Sequence, residues 1–410
     1  MHCGRARQGV PLALLAFALL AGCARTKTPP LAAGAIAVLP WDTVVARAKG
    51  TTVLWRMWRG DPAVNAFVDR WVAPRLKSQY GITLQAVSGQ GNALVDQLAV
   101  EREAGVAIGT ASLLWINGET FGALRARNLL GGPWSQALPA AALVDSASPI
   151  ISRDFEQDPA GYESPWGTVQ LALIYDSART PQPPRTVGEL ATWIRSHPGR
   201  FTYDQSFAGT TFLKGLLYAF GGGVDEFRGG FDSTRYLSAR TRLFAWLDSL
   251  KPSLWRQGTQ YPPDVAALHR LFANGEIDFS LSNNQNEAVT KSMQGVLPTT
   301  SRALVLREGT IANTHFLGIP ANAPNAAGAM VVANFLLSPE AQLEKQRPAV
   351  WADGTVLRRD RLPAHWRVRF DSVANDSRLV PADTLRAYAR PEVSPRYHER
   401  LQADWRRMIR

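Results

Sequence analysis

A regular alternation of apolar strand patterns and amphipathic helix patterns begins after residue 50 and constrains the fold most strongly. Residues 52–58 predict a buried strand, and Asp61 followed by Pro62 predicts a helix N-cap with proline at the first helical position. Residues 82–87 and 113–116 predict two more strands, separated by a helix that Asn92 caps. This order predicts parallel β-α-β units and therefore an α/β fold.

The second half of the chain contains patterns that indicate a second lobe. Residues 166–175 and 277–281 predict buried strands, and Thr186 with Glu189 predicts a capping box at a helix start. Residues 314–319 predict a late strand. A chain of 410 residues with 46% hydrophobic content has enough material for two cores. We therefore expect two lobes joined by crossing strands, with a ligand cleft beyond the carboxyl ends of the strands.

The N-terminal residues resemble a bacterial lipoprotein signal peptide. Arg5 and Arg7 precede VPLALLAFALL, an apolar run of about 11 residues, whereas a membrane span needs about 20. The run ends in Leu20-Ala21-Gly22-Cys23, which is similar to the lipobox. The resemblance implies a signal peptide over 1–22, a lipid on Cys23 and a periplasm-facing protein anchored in the cell envelope. The composition of residues 24–48, rich in alanine, proline and threonine, predicts a flexible tether, which with the lipidated Cys23 covers 23–50. An ordinary secretory signal is the alternative, and the choice between inner and outer membrane stays open.

Cysteine content and charge exclude several classes of function. The chain has two cysteines, Cys3 and Cys23, so a mature chain with a lipidated Cys23 has no thiol for a disulfide, a nucleophile or a metal. The net charge of +11 falls to +9 once Arg5 and Arg7 leave with the signal peptide. The remaining arginines are scattered, and no basic stripe with interleaved aromatic residues predicts nucleic-acid binding.

Four stretches of the mature chain resemble one protein family. They are MWRGDPAVNAFVDRWV, LLWINGETFGALR, YESPWGTVQLALIYDSA, and GTIANTHFLGIPANAPN with ANFLLSPEAQ after it. They are similar to bacterial ABC-importer solute-binding proteins of the type II periplasmic-binding fold, in particular to the YnjB-type group, with distant similarity to thiamine and polyamine binders. The resemblance implies a monomer that closes two lobes around one small solute and delivers it to a permease with its ATPase.

The resemblance also implies how the chain divides between the lobes. Residues 51–167 are expected to form the first part of lobe 1, residues 168–309 lobe 2, and residues 310–357 the return to lobe 1. Residues 358–410 are expected to form a helical segment that packs on the lobes.

Related binders contact their ligands at strand ends that face the cleft, and the first such position here holds Trp58, Gly60 and Asp61. Trp58 offers an indole for a planar or cationic solute, and a core position is its alternative. Asp61 offers a carboxylate, and helix capping is its alternative. Asn92 follows the Gly89–Gly91 turn, where free helix N–H groups can hold a polar group, and a plain cap is the alternative.

The stretch WINGE forms the next candidate, where the third strand ends and a helix begins. Strand alternation places Trp115 and Asn117 on the same side. Asn117 and Glu119 offer an amide and a carboxylate to a polar solute. The alternative is an Asx turn at Asn117, with Glu119 complementing the helix dipole.

The remaining candidates belong to lobe 2 and to the crossing strands. Gly209 and Thr210 open a helix with backbone and hydroxyl donors, and a plain helix start is the alternative. Trp166 either lines the cleft or stiffens the hinge. The polar positions expected to hold solute at strand ends are Asn283, Asn284, Asn313 and Thr314.

These residues favour a small polar organic solute with one charged group, thiamine-like or another cationic or polar compound. Iron binders of this fold use paired tyrosines, and this sequence has no Tyr-Tyr pair and no metal spacing among its histidines. A polyamine site needs several carboxylates, and only Asp61, Glu119 and Glu287 qualify. We expect no cofactor and no metal.

Two other classes of function are alternatives. An enzyme is disfavoured because the sequence has no G-x-S-x-G, H-E-x-x-H or phosphate-binding loop motif, although a Ser-His-Asp triad of a hydrolase or transferase stays open. A surface lipoprotein that uses the same fold for sensing or scaffolding is the second alternative.

Overall fold

The computed structural model of the protein describes residues 1–2, 4, 30–374 and 376–408. The predictions of a signal peptide over 1–22 and of a lipid on Cys23 lie outside the described residues, apart from residues 1, 2 and 4. All structural statements below concern the described part of the chain.

Two separate β-sheets organise the described residues. The strands are β1 (Thr52–Met57), β2 (Thr83–Ser88), β3 (Leu113–Ile116), β4 (Glu163–Gln170), β5 (Ala172–Asp176), β6 (Phe279–Ser282), β7 (Ser301–Leu304), β8 (Thr310–Gly318) and β9 (Ala389–Arg390). The larger sheet has the order β2-β1-β3-β8-β4, with β9 paired to β8, and the smaller sheet has the order β6-β5-β7.

The first three strands are parallel, as the alternation in the sequence predicted. β1 pairs with β2 and β3 in parallel, while β8 runs antiparallel to β3 and β4. The parallel strands end at one edge of the sheet, so the loops that follow β1 and β3 lie side by side. This edge faces the second lobe.

The helices surround both sheets. They are α1 (Ala33–Ala37), α2 (Trp41–Ala48), α3 (Pro62–Ala66), α4 (Ala73–Tyr80), α5 (Gly91–Glu103), α6 (Gly118–Ala126), α7 (Pro149–Ser152), α8 (Val187–Ser196), α9 (Phe207–Gly221), α10 (Ser233–Leu250), α11 (Val265–Ala273), α12 (Glu287–Met293), α13 (Ala326–Leu336), α14 (Pro339–Gln346), α15 (Ala364–Ala374), α16 (Ala382–Tyr388) and α17 (Pro395–Met408). A π-helical turn, Phe67–Val72, joins α3 to α4.

The chain crosses between the sheets twice. β4 ends at Gln170 in the larger sheet, and β5 starts at Ala172 in the smaller one. The single strand predicted over 166–175 is therefore two strands, because Leu171 bonds to Ile311 while the neighbouring Gln170 N–H donates to the side chain of Gln285 at 2.8 Å. The return crossing lies between β7 and β8. The fold is thus the two-lobed α/β fold of type II periplasmic-binding proteins.

Each lobe has its own hydrophobic core. Lobe 1 packs helices on both faces of the larger sheet, with one cluster around Trp55 and Trp166 and another around Leu114 and Phe316. Lobe 2 packs α8 to α11 against the smaller sheet. The chain passes between the cores at the two crossings of the sheets and again in the C-terminal segment, from Phe370 in lobe 1 to Tyr397 in lobe 2. Two separate cores with such connections can move as units.

The structure corrects the extent of the predicted tether. Residues 33–48 form α1 and α2, and Ala33, Ile36, Val44 and Ala48 are buried in the lobe 1 core. The Ala- and Pro-rich composition suggested a linker, but small apolar side chains also allow helices to approach closely. From Ala33 onward the chain belongs to the folded body.

The C-terminal residues contact both lobes. Phe370 on α15 is buried in the lobe 1 core, whereas Tyr397, Leu401 and Trp405 on α17 are buried in the lobe 2 core. β9 adds to the crossing strand β8 by pairing in parallel with Thr310–Ile311. The segment therefore spans the region where the lobes meet.

Candidate functional site

The loop after β1 presents an exposed indole at the edge of lobe 1. Trp58 is 45% exposed, and its ring lies edge-on to Trp115 with centroids 6.5 Å apart. Gly60 is also exposed, and a Cβ at Gly60 would lie 2.6 Å from the Trp58 indole. Glycine at position 60 therefore lets the indole fold back over the loop. The arrangement leaves one face of a large apolar ring open at the cleft edge.

Behind Trp58 lies a wall of aromatic rings. Trp115 is 6% exposed and contacts Trp166 and His315, each with its ring centroid 4.8 Å from that of Trp115. Trp351 stacks on His315 at 5.8 Å and lies 5.3 Å from Trp166. Trp166 is fully buried, so it supports the wall from within the core rather than facing solvent.

A buried ion pair fixes the histidine of this wall. Asp353 has no exposed surface and accepts hydrogen bonds from Lys345 Nζ at 2.8 Å and from His315 Nε2 at 3.1 Å. Burial lowers the pKa of Lys345, and Asp353 acts against that effect. The His315 ring is held in one orientation beside Trp115 as a result.

Asp61 links the two lobes. Its Oδ1 accepts from the Ala63 N–H at 2.6 Å, which confirms the predicted cap of α3. Its Oδ2 accepts from Lys291 Nζ, on α12 of lobe 2, at 2.7 Å. The carboxylate thus has a local structural role and an interlobe contact at the same time.

Asn117 and Glu119 occupy the start of α6. Asn117 is the N-cap and accepts from the Thr120 N–H at 3.4 Å, which is the capping alternative of the sequence prediction. Glu119 lies 3.4 Å from His398 Nε2 on α17, and this histidine holds the pKa of the Glu119 carboxyl below its usual range. Both side chains remain partly exposed.

A tight turn over residues 154–157 supports the loop that holds Asn117 and Glu119. Gln157 Nε2 donates to the Gly118 carbonyl at 2.7 Å, and a Cβ at Gly118 would lie 2.3 Å from the side chain of Phe155. Phe155 and Glu156 have φ values of 48° and 64°, in the left-handed region where non-glycine residues are strained. Burial raises the pKa of Asp154, at the start of this turn, well above its usual range.

The amides after β6 reach across to lobe 1. Asn284 Nδ2 donates to the Trp351 carbonyl at 3.1 Å, and Asn286 Nδ2 donates to the Ala352 carbonyl at 3.2 Å. Asn283 Oδ1 is buried and has no hydrogen-bond partner among the described residues. The Asn286 side chain makes no cap bond to α12, although the residue precedes that helix. A buried acceptor without a donor is costly, so the Asn283 Oδ1 has an unmet hydrogen-bond requirement.

Two predicted residues at the crossing strand have protein partners. Asn313 Nδ2 donates to Glu392 Oε1 at 3.0 Å, and Thr314 Oγ1 donates to the Ile150 carbonyl at 2.7 Å. Both line a small crevice, together with Asp154 and Pro391, that has room for about one water molecule.

Three other candidates lie apart from the aromatic wall. Gly209 lies inside α9, where a Cβ would come within 1.8 Å of the Asp204 carbonyl oxygen, so this glycine permits close packing. Thr210 is buried and donates to the Ser206 carbonyl at 3.2 Å. Asn92 is exposed in the first turn of α5, and it is not the predicted cap, because the helix begins at Gly91 with Gln90 as N-cap.

The structure brings Trp58, Trp115 and Trp166 into one aromatic group, and it places Asp61, Glu119 and Asn284 at contacts between the lobes. The sequence interpretation missed four residues of the same region, namely Lys291, His315, Trp351 and His398. Lys291 carried a usable signal, because it lies four residues after Glu287 and therefore on the same helix face. The two histidines carried no such signal, because their spacing in the sequence is not that of metal ligands.

The described residues contain neither a membrane-spanning helix nor a metal cluster. No helix in residues 30–374 or 376–408 combines the length and the apolar character that a membrane crossing needs. Within the same described ranges, no three His, Cys, Asp or Glu side chains converge as a metal site would require.

Comparison with known proteins agrees with the two-lobed fold. Residues 71–348 match the family described as bacterial extracellular solute-binding protein. The chain belongs to this family, whose members serve ABC importers by binding solute.

One relative at the sequence level is protein YnjB of Escherichia coli (strain K12). The two chains are 38% identical over 369 residues, which covers 89% of this chain and 92% of the relative.

Solved structures with low sequence identity share the fold. The spermidine/putrescine substrate-binding protein PotD of Streptococcus pneumoniae has a TM-score of 0.61 at 13% identity, covering 88% of this chain and 100% of that one. A periplasmic thiamin binding protein has a TM-score of 0.59 at 16% identity, covering 88% and 96%. Iron-bound HitA of Pseudomonas aeruginosa has a TM-score of 0.56 at 18% identity, covering 86% and 99%.

Proposed function

We propose that this solute-binding protein captures a small polar organic solute between its lobes, at the edge formed by Trp58, Trp115 and Asn117. The solute is thiamine-like or another cationic or polar compound, and it is delivered to a membrane permease with its ATPase. The observation that carries the proposal is the exposed Trp58 indole in front of a buried aromatic wall, at the edge of lobe 1 that faces lobe 2. An exposed apolar ring beside interlobe contacts is typical of a binding surface.

The Trp58 indole on lobe 1 and the Asn283 amide on lobe 2 support a solute with both a planar part and hydrogen-bonding groups. The indole offers a flat face for stacking, and the buried Asn283 Oδ1 offers an acceptor from lobe 2. Named neighbours of the same fold take thiamin, spermidine or putrescine, and iron. An aromatic wall with amides suits an organic molecule with a ring better than a bare metal ion.

A thermal-shift screen with a metabolite collection tests this proposal. A solute that binds only the folded protein, at a free concentration of about 100 times its Kd, raises the free energy of unfolding by about 2.7 kcal/mol. We expect at least one compound to raise the melting temperature of the wild type, and Trp58→Ala to abolish that rise.

The matched control is Trp366→Ala, which removes another partly exposed tryptophan, on α15. This variant is expected to keep the full rise in melting temperature. A bound solute whose effect survives both Trp58→Ala and Asn117→Ala would show that the site lies elsewhere.

We further propose that the protein is anchored in the cell envelope by a lipid on Cys23. The lipobox-like sequence before Cys23 supports the proposal. Replacement of Cys23 by Ser is expected to release the protein from the membrane fraction, whereas Cys3→Ser is expected to have no effect on the mature protein. An unchanged chain size when lipoprotein processing is inhibited by globomycin contradicts the anchor.

A further inference from the structure

Lys291 lies between two carboxylates that come from opposite lobes. Its Nζ is 2.7 Å from Asp61 Oδ2 in lobe 1 and 3.8 Å from Glu287 Oε1 in lobe 2. The Lys291 side chain is 9% exposed, and the side chains of Asp61 and Glu287 are 13% and 15% exposed. The ammonium group therefore lies in a largely buried position where the two lobes meet.

The lobe 2 part of this group is held in a fixed position. Ser282 donates to Glu287, and His269 Nε2 lies 3.6 Å from Glu287 while its Nδ1 bonds to Ser280 at 2.7 Å. Burial alone raises the pKa of Glu287, but His269, Lys291 and Ser282 lower it to about 2. Glu287 is thus ionised at neutral pH and keeps Lys291 close to it.

The other acid on the lobe 1 edge is engaged in the same manner. Glu119 lies 3.4 Å from His398 Nε2, and His398 is almost fully buried in lobe 2. Both acidic candidates of lobe 1, Asp61 and Glu119, therefore face a basic side chain of lobe 2. A second cation brought to Asp61 meets the Lys291 ammonium group that is already there, and like charges at such distances repel strongly when water is scarce.

We propose that Lys291 is a specificity residue that excludes solutes with a cationic group at the Asp61 end of the cleft. It occupies the place that such a group needs between Asp61 and Glu287. The inference rests on the proposed function and narrows its solute class. The solute presents an uncharged or acceptor group to Lys291, and any positive charge that it carries lies at the Trp58 side. Flexible polyamines with several ammonium groups are rejected.

The proposal is tested by titrating spermidine, a flexible polycation, into purified protein at low ionic strength and measuring heat. Lys291→Met keeps a long unbranched side chain and leaves the carboxylates of Asp61 and Glu287 without the ammonium group between them. We expect it to bind spermidine at least tenfold more tightly than the wild type, which corresponds to about 1.4 kcal/mol. Lys291→Arg keeps the charge and is expected to keep the weak wild-type affinity.

Lys49→Met is the matched control. It also removes one positive charge, but from an exposed lysine after α2 that is not part of the Asp61–Lys291–Glu287 group. No gain is expected for this variant. An equal gain with Lys49→Met shows a general charge effect and overturns the proposal. Unchanged spermidine affinity in Lys291→Met also overturns it, whether both proteins bind spermidine or neither does.

Two further variants secure the result. Lys291→Gln replaces the ammonium by an uncharged polar group and provides the same comparison where Lys291→Met does not fold. Asp61→Asn in the Lys291→Met background keeps a residue that can cap α3 and is expected to reverse most of the gain. Failure of the metabolite screen on the wild type contradicts the proposed solute function, whereas failure of the spermidine gain contradicts only the role of Lys291.

Discussion

The ion pair between Lys214 and Glu392 gives the sharpest stability prediction. Lys214 on α9 has no exposed side-chain surface, and Glu392 next to β9 is 3% exposed. Lys214 Nζ lies 2.7 and 2.6 Å from the two carboxylate oxygens, and Asn313 on the crossing strand donates to Oε1 of the same carboxylate at 3.0 Å. Burial lowers the pKa of Lys214, and the Glu392 carboxylate acts against that effect.

Removal of Glu392 leaves a buried ammonium group without its counter-charge. Glu392→Ala is therefore expected to lower the free energy of unfolding by about 3–5 kcal/mol. The loss of the acceptor for Asn313 adds about 1 kcal/mol. The double variant Lys214→Met with Glu392→Met replaces both charges by apolar groups and is expected to lie within about 2 kcal/mol of the wild type.

Urea unfolding at neutral pH, followed by tryptophan fluorescence, measures these differences. The two lobes need not unfold together. The free energies of the variants are therefore compared for the unfolding transition of lobe 2, which contains Lys214. A cost below about 1 kcal/mol for Glu392→Ala, or a double variant as unstable as the single one, refutes the reasoning.

Three further predictions concern the stability contributed by Glu287, Gly118 and Trp166. The pKa of Glu287 is about 2 against an ordinary 4.5. Its ionised form therefore contributes about 3 kcal/mol of stability above pH 4.5, which is lost as pH falls towards 2. In acid unfolding, Glu287→Gln is expected to flatten the wild-type dependence over that interval, and an unchanged slope contradicts the role of this carboxylate. Gly118→Ala places a Cβ 2.3 Å from Phe155 and is expected to cost about 1–3 kcal/mol in urea unfolding, so a neutral effect shows that the turn adapts. Trp166→Ala removes a fully buried ring and is expected to cost about 3–5 kcal/mol, whereas Trp58→Ala costs less than half of that because its ring is 45% exposed.

The order of strands and helices was predictable because periodicity reports burial directly. The β-α-β-α-β start of lobe 1, the cap at Asp61 and the buried strand at Leu113–Ile116 agree with the structure. The exact split between β4 and β5 was not predictable, since the break depends on partners such as Gln285 and Ile311 that are distant in sequence.

The candidate site was predictable only in its lobe 1 part. Trp58 and Asp61 follow strand ends in sequence, so local patterns place them at the sheet edge. The basic residues that face the two acids of this edge come from α12 and from α17, and no local pattern links Lys291 to Asp61 or His398 to Glu119. Such pairs arise from tertiary packing and need the structure.

The prediction of a linker over the residues of α1 and α2 was wrong. Composition over 24–48 indicated a linker, because proline-rich segments tend to be extended. The structure instead buries Ile36 and Val44 against lobe 1. Positions 41, 44, 45 and 48 nevertheless have the i, i+3, i+4, i+7 spacing of an amphipathic helix, so α2 carried a periodic signal that the composition outweighed.

The central claim is that a solute is captured between two lobes that move about the crossing strands. The chain from Ala24 onward has no cysteine, so Ser78→Cys on α4 and Ser238→Cys on α10 provide two exposed, specific positions for spin labels, one on each lobe. Pulsed electron resonance then gives the distribution of distances between the lobes, with and without a solute identified by the thermal-shift screen. We predict that the solute changes a broad distribution into a single narrower one, and that Trp58→Ala prevents this change. A solute that binds tightly and leaves the distribution unchanged contradicts capture between the lobes.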